Sequence, residues 1–208
     1  MLTDLLALAD ARLPIGGHVH SGGIEEAITS GLVHDLPTVE AFLVRRIRST
    51  GLTTASITAA VVNGLDPCQA DAETDARTPS AAAREASRAQ GRGFARLARR
   101  AWPGHDWSSI GRRPHLPVIT GVVAGLCRLD AQQAALAVIY TTMTSSATAA
   151  QRLLALDPAD AAIITFGLSR LCDETAREAT SGLHALSDPL LDVLAERHIQ
   201  RGMPLFVS

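Results

Sequence analysis

The stretch SAAAREASRAQGRGFARLARRAW, residues 80–102, decides the fold class of this chain. Eight of its residues are alanine and six are arginine, and no proline interrupts it. Alanine and arginine have high intrinsic helix propensities, and serine is a favoured N-terminal cap. The stretch therefore predicts a helix from Ser80 to about Trp102, which Pro103-Gly104 ends.

The whole chain shares this character. It has 208 residues, of which 47% are apolar, 19% are charged and only 3% are aromatic. An alanine-rich chain with few aromatic residues favours closely packed helices over sheets, and this length is typical of one domain. We therefore expect a single all-α domain over residues 1–208, with about eight to ten helices.

Apolar periodicity and helix-start signals place the other helices. Aspartate followed by proline caps a helix and fills its first turn, which predicts two helix starts near the C-terminus. Residues 64–79 are acidic and predict either a connection or a short helix. The predicted helices are 2–10, 24–32, Pro37 to about Asn63, 118–128, 130–155, Asp157-Pro158 to about Leu183, and Asp188-Pro189 to about Gln200.

The residue types present exclude several catalytic classes. All 19 basic residues are arginine, so the chain has no lysine for a P-loop or for a Schiff base. Ser21 follows His20, but Val19 occupies the position where a nucleophile elbow requires glycine, which disfavours a serine hydrolase. With no catalytic constellation, we expect an adaptor or scaffold without enzyme activity and without a cofactor.

Cysteine usage and charge indicate the compartment. The three cysteines, Cys68, Cys127 and Cys172, form no CxxC pair, which favours a reducing cytoplasm. The N-terminus lacks the basic segment of a signal peptide, and no window of about 18 apolar residues is free of charge. The net charge is −2. We expect a cytoplasmic protein with neither a membrane nor a nucleic acid as partner.

A glycine-rich loop, PIGGHVHSGGIE at residues 14–25, is the first candidate site. Its glycines permit left-handed backbone and the close approach of another chain. His18 and His20 are two positions apart, so in an extended segment both can face one metal ion, although two histidines require a further ligand. The alternative is a connection whose histidines face solvent.

The arginines of the 80–102 helix are the second candidate site. Arg84, Arg88, Arg92, Arg96, Arg99 and Arg100 recur at steps of three and four, against one acidic residue, Glu85. Such a row can bind an acidic protein surface or phosphates. The favoured alternative is a solvated face that the acidic residues 66–75 neutralise. Gly91 and Gly93 within this helix indicate either a close contact or a break.

The C-terminal tail is the third candidate site. Met203, Leu205 and Phe206 are apolar, and Gly202 and Pro204 prevent a continuous helix. An apolar tail either folds back on the domain or docks on a partner.

Several short motifs, in order along the chain, resemble the urease accessory protein F family. Leu13-Pro14-Ile15-Gly16, followed by Ser21, Gly23, Ile24 and Glu25, is similar to the N-terminal signature of that family. The other matching motifs are Arg84 with Ser87-Arg88 and Gly91, His115 with Pro117-Val118 and Gly121, Tyr140 with Ser146-Ala147 and Arg152-Leu153, Leu190-Leu191-Asp192 with His198, and Leu205-Phe206 with Ser208.

The resemblance implies an all-α fold and a non-enzymatic role in the maturation of nickel urease. Family members dimerise and bridge urease accessory protein D, called H in some species, to the accessory GTPase G. The assembly docks on apo-urease for GTP-dependent nickel insertion, and members have been proposed to regulate the GTPase. A direct nickel or zinc carrier that uses His18 and His20 is the alternative function.

The motif matches also imply which residues bind partners. Glu25 and the loop Gly16–Gly23 are expected to face the GTPase or the dimer mate, and His198, Leu205 and Phe206 are expected to contact accessory protein D/H. Arg84, Arg88 and Tyr140 are expected to shape surfaces or internal packing. The candidate partner-binding residues are Gly16, Gly17, Ser21, Gly23, Glu25, Arg84, Arg88, Tyr140, His198, Leu205 and Phe206.

Overall fold

Two helices, α4 (Leu52–Val62) and α8 (Ala131–Leu153), pack against each other at the centre of the computed structural model. The structure describes residues 2–15 and 20–199, and within them it contains helices and no β-strand, which confirms the predicted all-α domain. The other helices are α1 (Leu2–Leu8), α2 (Ile24–Thr29), α3 (Leu36–Arg46), α5 (Pro67–Ala76), α6 (Ala81–Ala101), α7 (Leu116–Leu126), α9 (Pro158–Gly167), α10 (Ser169–Glu178) and α11 (Pro189–Ile199).

The long helix predicted from Pro37 to about Asn63 is present but contains a π-helical turn. α3 continues through this turn, Ile47–Gly51, directly into α4. With this continuous helix counted once, the described residues form ten α-helices, within the predicted range. A π turn adds a residue to the helical repeat and is frequent at functional sites. Here it begins immediately after Arg46.

The single helix predicted from Asp157 to about Leu183 is wrong. Asp157 caps the start of α9 as expected, because its Oδ1 accepts a hydrogen bond from the Ala159 amide at 2.8 Å. The helix is interrupted at Leu168, which is buried and separates α9 from α10. Gly167 precedes the interruption, and apart from proline, glycine has the lowest helix propensity. The turn directs Leu168 into the core.

The acidic residues 64–79 form a short helix, the second of the two predicted alternatives. Asp66 accepts hydrogen bonds from the amides of Cys68 and Gln69 at 2.9 and 3.1 Å, and Pro67 fills the first turn of α5. α5 places the acidic side chains of one of its faces beside α6. Asp71 and Asp75 are thereby fixed opposite the arginines of that helix.

Small residues allow the helices to approach closely. α6 is unbroken at Gly91, and a Cβ at this position would lie 2.8 Å from the His115 carbonyl carbon and 2.9 Å from the Leu116 amide nitrogen. A Cβ at Gly121 in α7 would likewise lie 2.7 Å from the Val61 Cβ in α4. The two helices approach this closely because Gly121 has no side chain. Of the two alternatives predicted for Gly91, a close contact or a helix break, the structure has the close contact.

Apolar side chains form two main clusters. The larger joins α2, α3, α8, α10 and α11, and includes Ile24, Leu43, Ile139 and Leu194. The second joins α1, α6 and α7 to the first half of α8. Within the described residues, no helix combines the length and the apolar character that a bilayer crossing requires.

Candidate functional site

A buried contact joins Glu25, in the N-terminal part of the chain, to His198, near the end of the described residues. The Glu25 Oε2 and the His198 Nε2 lie 2.7 Å apart, and only 7% of the glutamate side chain and 2% of the histidine side chain are exposed. Glu25 lies in the first turn of α2, and His198 lies in the last turn of α11. Buried polar groups of this kind stabilise a fold only when they are paired, so the contact fixes α2 against α11.

The segment before α2 is fixed by two further contacts. Gly23 has a left-handed φ of +89°, which glycine adopts without strain, and a Cβ there would lie 3.6 Å from the Cβ of Leu194 in α11. The Ser146 hydroxyl of α8 donates a hydrogen bond to the Ser21 carbonyl at 3.1 Å. The second half of the glycine-rich loop is thus packed against α8 and α11.

The glycine-rich loop and the C-terminal tail therefore adjoin the same contact. The loop leads directly into the helix that carries Glu25, and the tail follows the helix that carries His198. Both side chains are buried, so each acts on its neighbouring segment by holding a helix in place. The remaining candidates of these two segments, Gly16, Gly17, His18, Leu205 and Phe206, lie outside the described residues.

Arg84 and Arg88 meet the acidic helix α5. The Arg88 guanidinium lies 2.6 Å from an Asp75 oxygen and 3.0 Å from an Asp71 oxygen, and it donates to the Arg113 carbonyl at 2.7 Å. Arg84 donates to the carbonyls of Thr78 and Pro79 at 2.6 and 2.9 Å. The acidic segment neutralises this part of the arginine row, so these two side chains serve internal packing.

His115 completes this network at the start of α7. It is fully buried, its Nε2 lies 2.9 Å from an Asp75 oxygen, and its Nδ1 lies 3.0 Å from the Ser87 hydroxyl. Burial lowers the pKa of His115 below its ordinary value of 6.5, and the nearby Arg88 charge lowers it further, while the Asp75 hydrogen bond opposes both. Burial alone would raise the pKa of Asp75, but hydrogen bonds from His115 and Arg88 lower it below 3.8.

Among the described residues, only Asp71, Asp75 and His115 cluster with the spacing of metal ligands. Arg88 lies between the two carboxylates and already supplies their positive charge. A metal ion there would face a guanidinium at close range, which is unfavourable. The metal site predicted from the sequence consists of other residues, His18 and His20. His20 is partly buried at the edge of a cleft, and His18 lies outside the described chain, so that site stays a prediction.

The C-terminal half of the arginine row differs from its start. Arg92, Arg96 and Arg100 are exposed, and within the described chain none of them forms an ion pair. Arg99 donates to the Ile110 carbonyl at 3.3 Å. This half of the arginine row faces solvent, which is the alternative favoured from the sequence.

Exposed apolar side chains mark a further surface. Tyr140 on α8 is 46% exposed, in keeping with a surface position. On α9, Ile163 and Phe166 are 67% and 78% exposed, and this helix has no buried residue. Sequence reasoning missed the α9 face because it treated the segment as part of one longer helix, from Asp157 to about Leu183, and did not ask which side of it is exposed. The signal was present as Ala159, Ile163 and Phe166, at helical steps of four and three.

This arrangement defines an all-α protein whose described buried polar contacts serve packing. Residues 33–169 match the family model described as UreF. Urease accessory proteins UreF from Mycobacterium sp. (strain JLS), Mycolicibacterium vanbaalenii and Mycobacterium tuberculosis (strain ATCC 25177 / H37Ra) are 66%, 63% and 62% identical, each covering 100% of this chain and 99% of the relative. The chain belongs to the UreF family of urease accessory proteins.

Proposed function

We propose that this protein is a dimeric scaffold in urease maturation, which bridges urease accessory protein D/H and the accessory GTPase G. In this role it presents the two partners to apo-urease for GTP-dependent nickel insertion and regulates the GTPase. Full-length similarity to urease accessory proteins UreF supports the general role. The chain is expected to act in the cytoplasm without enzyme activity, because GTP hydrolysis takes place on the partner.

The observation that carries this proposal is the contact between Glu25 and His198. The glycine-rich loop precedes Glu25 and the apolar tail follows His198, so both segments are continuous with the helices that this contact joins. Two partner-binding segments that leave from one fixed point can form one composite surface. A scaffold needs this property, since it must hold two partners in a defined relative position.

The candidate residues then divide into two roles. Glu25, His198 and Gly23 position the helices that adjoin the loop and the tail, and the buried Ser21 packs with them, while Gly16, Gly17, Leu205 and Phe206 belong to the segments that meet partners. Arg84 and Arg88 hold α5 against α6 and maintain the body that carries both segments. Tyr140 is exposed and available for contact.

Self-association is supported by the apolar face of α9. Phe166 and Ile163 lie on one side of the helix and are mostly exposed, and exposed apolar patches of this kind mark protein interfaces. In the proposed dimer, a second copy of this chain covers this face of α9.

Removal of residues 200–208 tests the proposal. The described helices end at Ile199, so the shortened protein is expected to keep its helical circular dichroism spectrum and melting temperature. It is expected to lose capture of accessory protein D/H, and the double substitution Leu205→Ser/Phe206→Ser is expected to reproduce the loss. Full capture by the shortened protein would contradict the docking role of the tail.

A further inference from the structure

Arg46 is a largely buried cation that lacks a carboxylate partner among the described residues. It is the last residue of α3, and its Nη1 donates a hydrogen bond to the Gly22 carbonyl. Its Nε atom is enclosed and has no hydrogen-bond partner in the described part of the chain. Burying a guanidinium without a counter-charge is costly, so such a group requires an explanation.

The neighbouring arginine provides an internal comparison. Arg45 precedes Arg46 in the same helical turn and pairs with Asp188 at 3.0 Å, although 47% of its side chain is exposed. The exposed arginine thus has a carboxylate, whereas the more buried one has, among the described residues, only a backbone carbonyl. This is the reverse of the usual pattern, in which buried charges are the paired ones.

Arg46 lines a cleft with a volume of about 300 Å³. Its walls are mainly apolar, with hydroxyl side chains such as Thr50, Thr148 and Ser145 among them. A mostly apolar cavity with a few convergent polar groups is the usual form of a small-ligand site. The guanidinium is therefore placed where a ligand can reach it.

The other charged groups that line this cleft do not neutralise Arg46. Asp10 pairs with Arg12 at 2.7 Å, and Asp188 pairs with Arg45. Asp192 also lines the cleft, and burial raises its pKa; within the described chain it forms no ion pair with Arg46. Arg77 already has Glu73 as its partner, and His20 lies at the cleft edge.

The backbone beside Arg46 is shaped to admit its guanidinium. A Cβ at Gly22 would lie 2.5 Å from the Arg46 Cζ, at the end of that flexible side chain, and Gly22 has a left-handed φ of +64°, which favours glycine. The preceding residue, Ser21, has a buried hydroxyl without a hydrogen-bond partner in the described chain.

From these contacts we infer that Arg46 forms the core of a binding site for a small oxyanion, a carboxylate or a phosphate. Guanidinium groups bind both through parallel N–H donors, and the Arg46 side chain lines the cleft. Burial lowers the pKa of Arg46 only to about 10, so the group remains charged at neutral pH. The inference goes beyond the proposed function, because a scaffold does not require a small-molecule site.

The test is a titration of the full-length protein with sodium phosphate and, separately, with sodium acetate, followed by the arginine Nε–H signals in NMR spectra. Sodium chloride at equal ionic strength is the control, and Arg46→Lys assigns the signal by its disappearance. The Arg46 signal is expected to move saturably with at least one oxyanion and not with chloride. A response to phosphate alone assigns a phosphate site, and a response to acetate alone assigns a carboxylate site.

Calorimetry with matched variants gives a second readout. Arg46→Gln is expected to abolish the saturable heat, whereas Arg96→Gln, an exposed arginine on α6, is expected to retain it. If neither oxyanion moves the Arg46 signal of the wild-type protein beyond the chloride control, the site does not exist, whether or not Arg46→Gln folds. Heat of binding that Arg46→Gln retains in full would also overturn the inference.

Discussion

Glu25 and His198 are separated by 173 positions in the sequence, yet their side chains meet at 2.7 Å in the interior. The contact connects the first turn of α2 to the last turn of α11. It therefore fixes α2 and α11, the helices that the glycine-rich loop and the tail adjoin in the sequence. In the proposed scaffold, partner binding depends on this contact even though partners do not touch it.

Glu25→Gln and His198→Gln are each expected to destabilise the fold, because each leaves a buried polar group poorly paired. The expected loss is about 1–3 kcal/mol for each substitution. Denaturant unfolding of both single variants and the double variant measures the coupling. A coupling energy below about 0.5 kcal/mol would contradict a direct interaction. Glu40→Gln, on an exposed face of α3, is the control and is expected to leave stability unchanged.

Gly91→Ala is expected to lower the free energy of unfolding by about 1–3 kcal/mol, although alanine favours helices. Its Cβ would press on the backbone of His115 and Leu116. Gly125→Ala in α7 is the matched control, since no atom lies within 4 Å of its Cβ position. That substitution is expected to stabilise the protein by up to about 1 kcal/mol. Equal effects at both positions would contradict the close contact.

Stability is expected to fall as the pH falls from about 7.5 to about 5.5. Burial lowers the pKa of His115 in the folded protein, whereas the unfolded chain titrates near the ordinary value of 6.5. Below that value the unfolded state binds a proton that the folded state resists, so unfolding becomes more favourable. Thermal melts across this range measure the effect.

His115→Gln isolates this contribution. The variant is expected to be less stable than the wild type at neutral pH, because it disturbs the contacts with Asp75 and Ser87. Its stability is expected to depend less on pH. His34→Gln, whose side chain is 64% exposed, is expected to keep the wild-type dependence. An unchanged pH dependence in His115→Gln would exclude His115 as the source.

Phe166→Ser is expected to weaken self-association while leaving the stability of the monomer within about 0.5 kcal/mol. The side chain is 78% exposed, so the fold loses few contacts. Sedimentation velocity over a range of concentrations measures the change. Leu32→Ser, at an exposed leucine outside α9, is the control and is expected to dimerise normally. Loss of dimer in both variants would argue against a specific α9 interface.

Much of the fold could be predicted from local signals. The caps at Asp66, Ser80 and Asp157 act within three residues, so the sequence displays them directly. The interruption at Leu168 was missed because its cause is the burial of one side chain in a core that other helices form. The π turn after Arg46 has no local signal of comparable strength.

The candidate site was harder to predict because its contacts connect distant parts of the chain. The neutralisation of Arg88 was foreseeable from the acidic segment nearby, but the place of His115 in the same network was not. Motif resemblance selected Glu25 and His198 separately and gave no sign that they meet. The isolation of Arg46 depends on which carboxylates other arginines occupy, and only the folded structure shows that.

Size-exclusion chromatography with light scattering tests the central claim most directly. This protein is mixed with accessory protein D/H and with the accessory GTPase G, each alone and both together, and the mass of each complex is measured. The scaffold proposal predicts a stable assembly of defined mass that contains all three proteins and two copies of this chain. Separate elution of the three proteins, each shown to be folded, would contradict it.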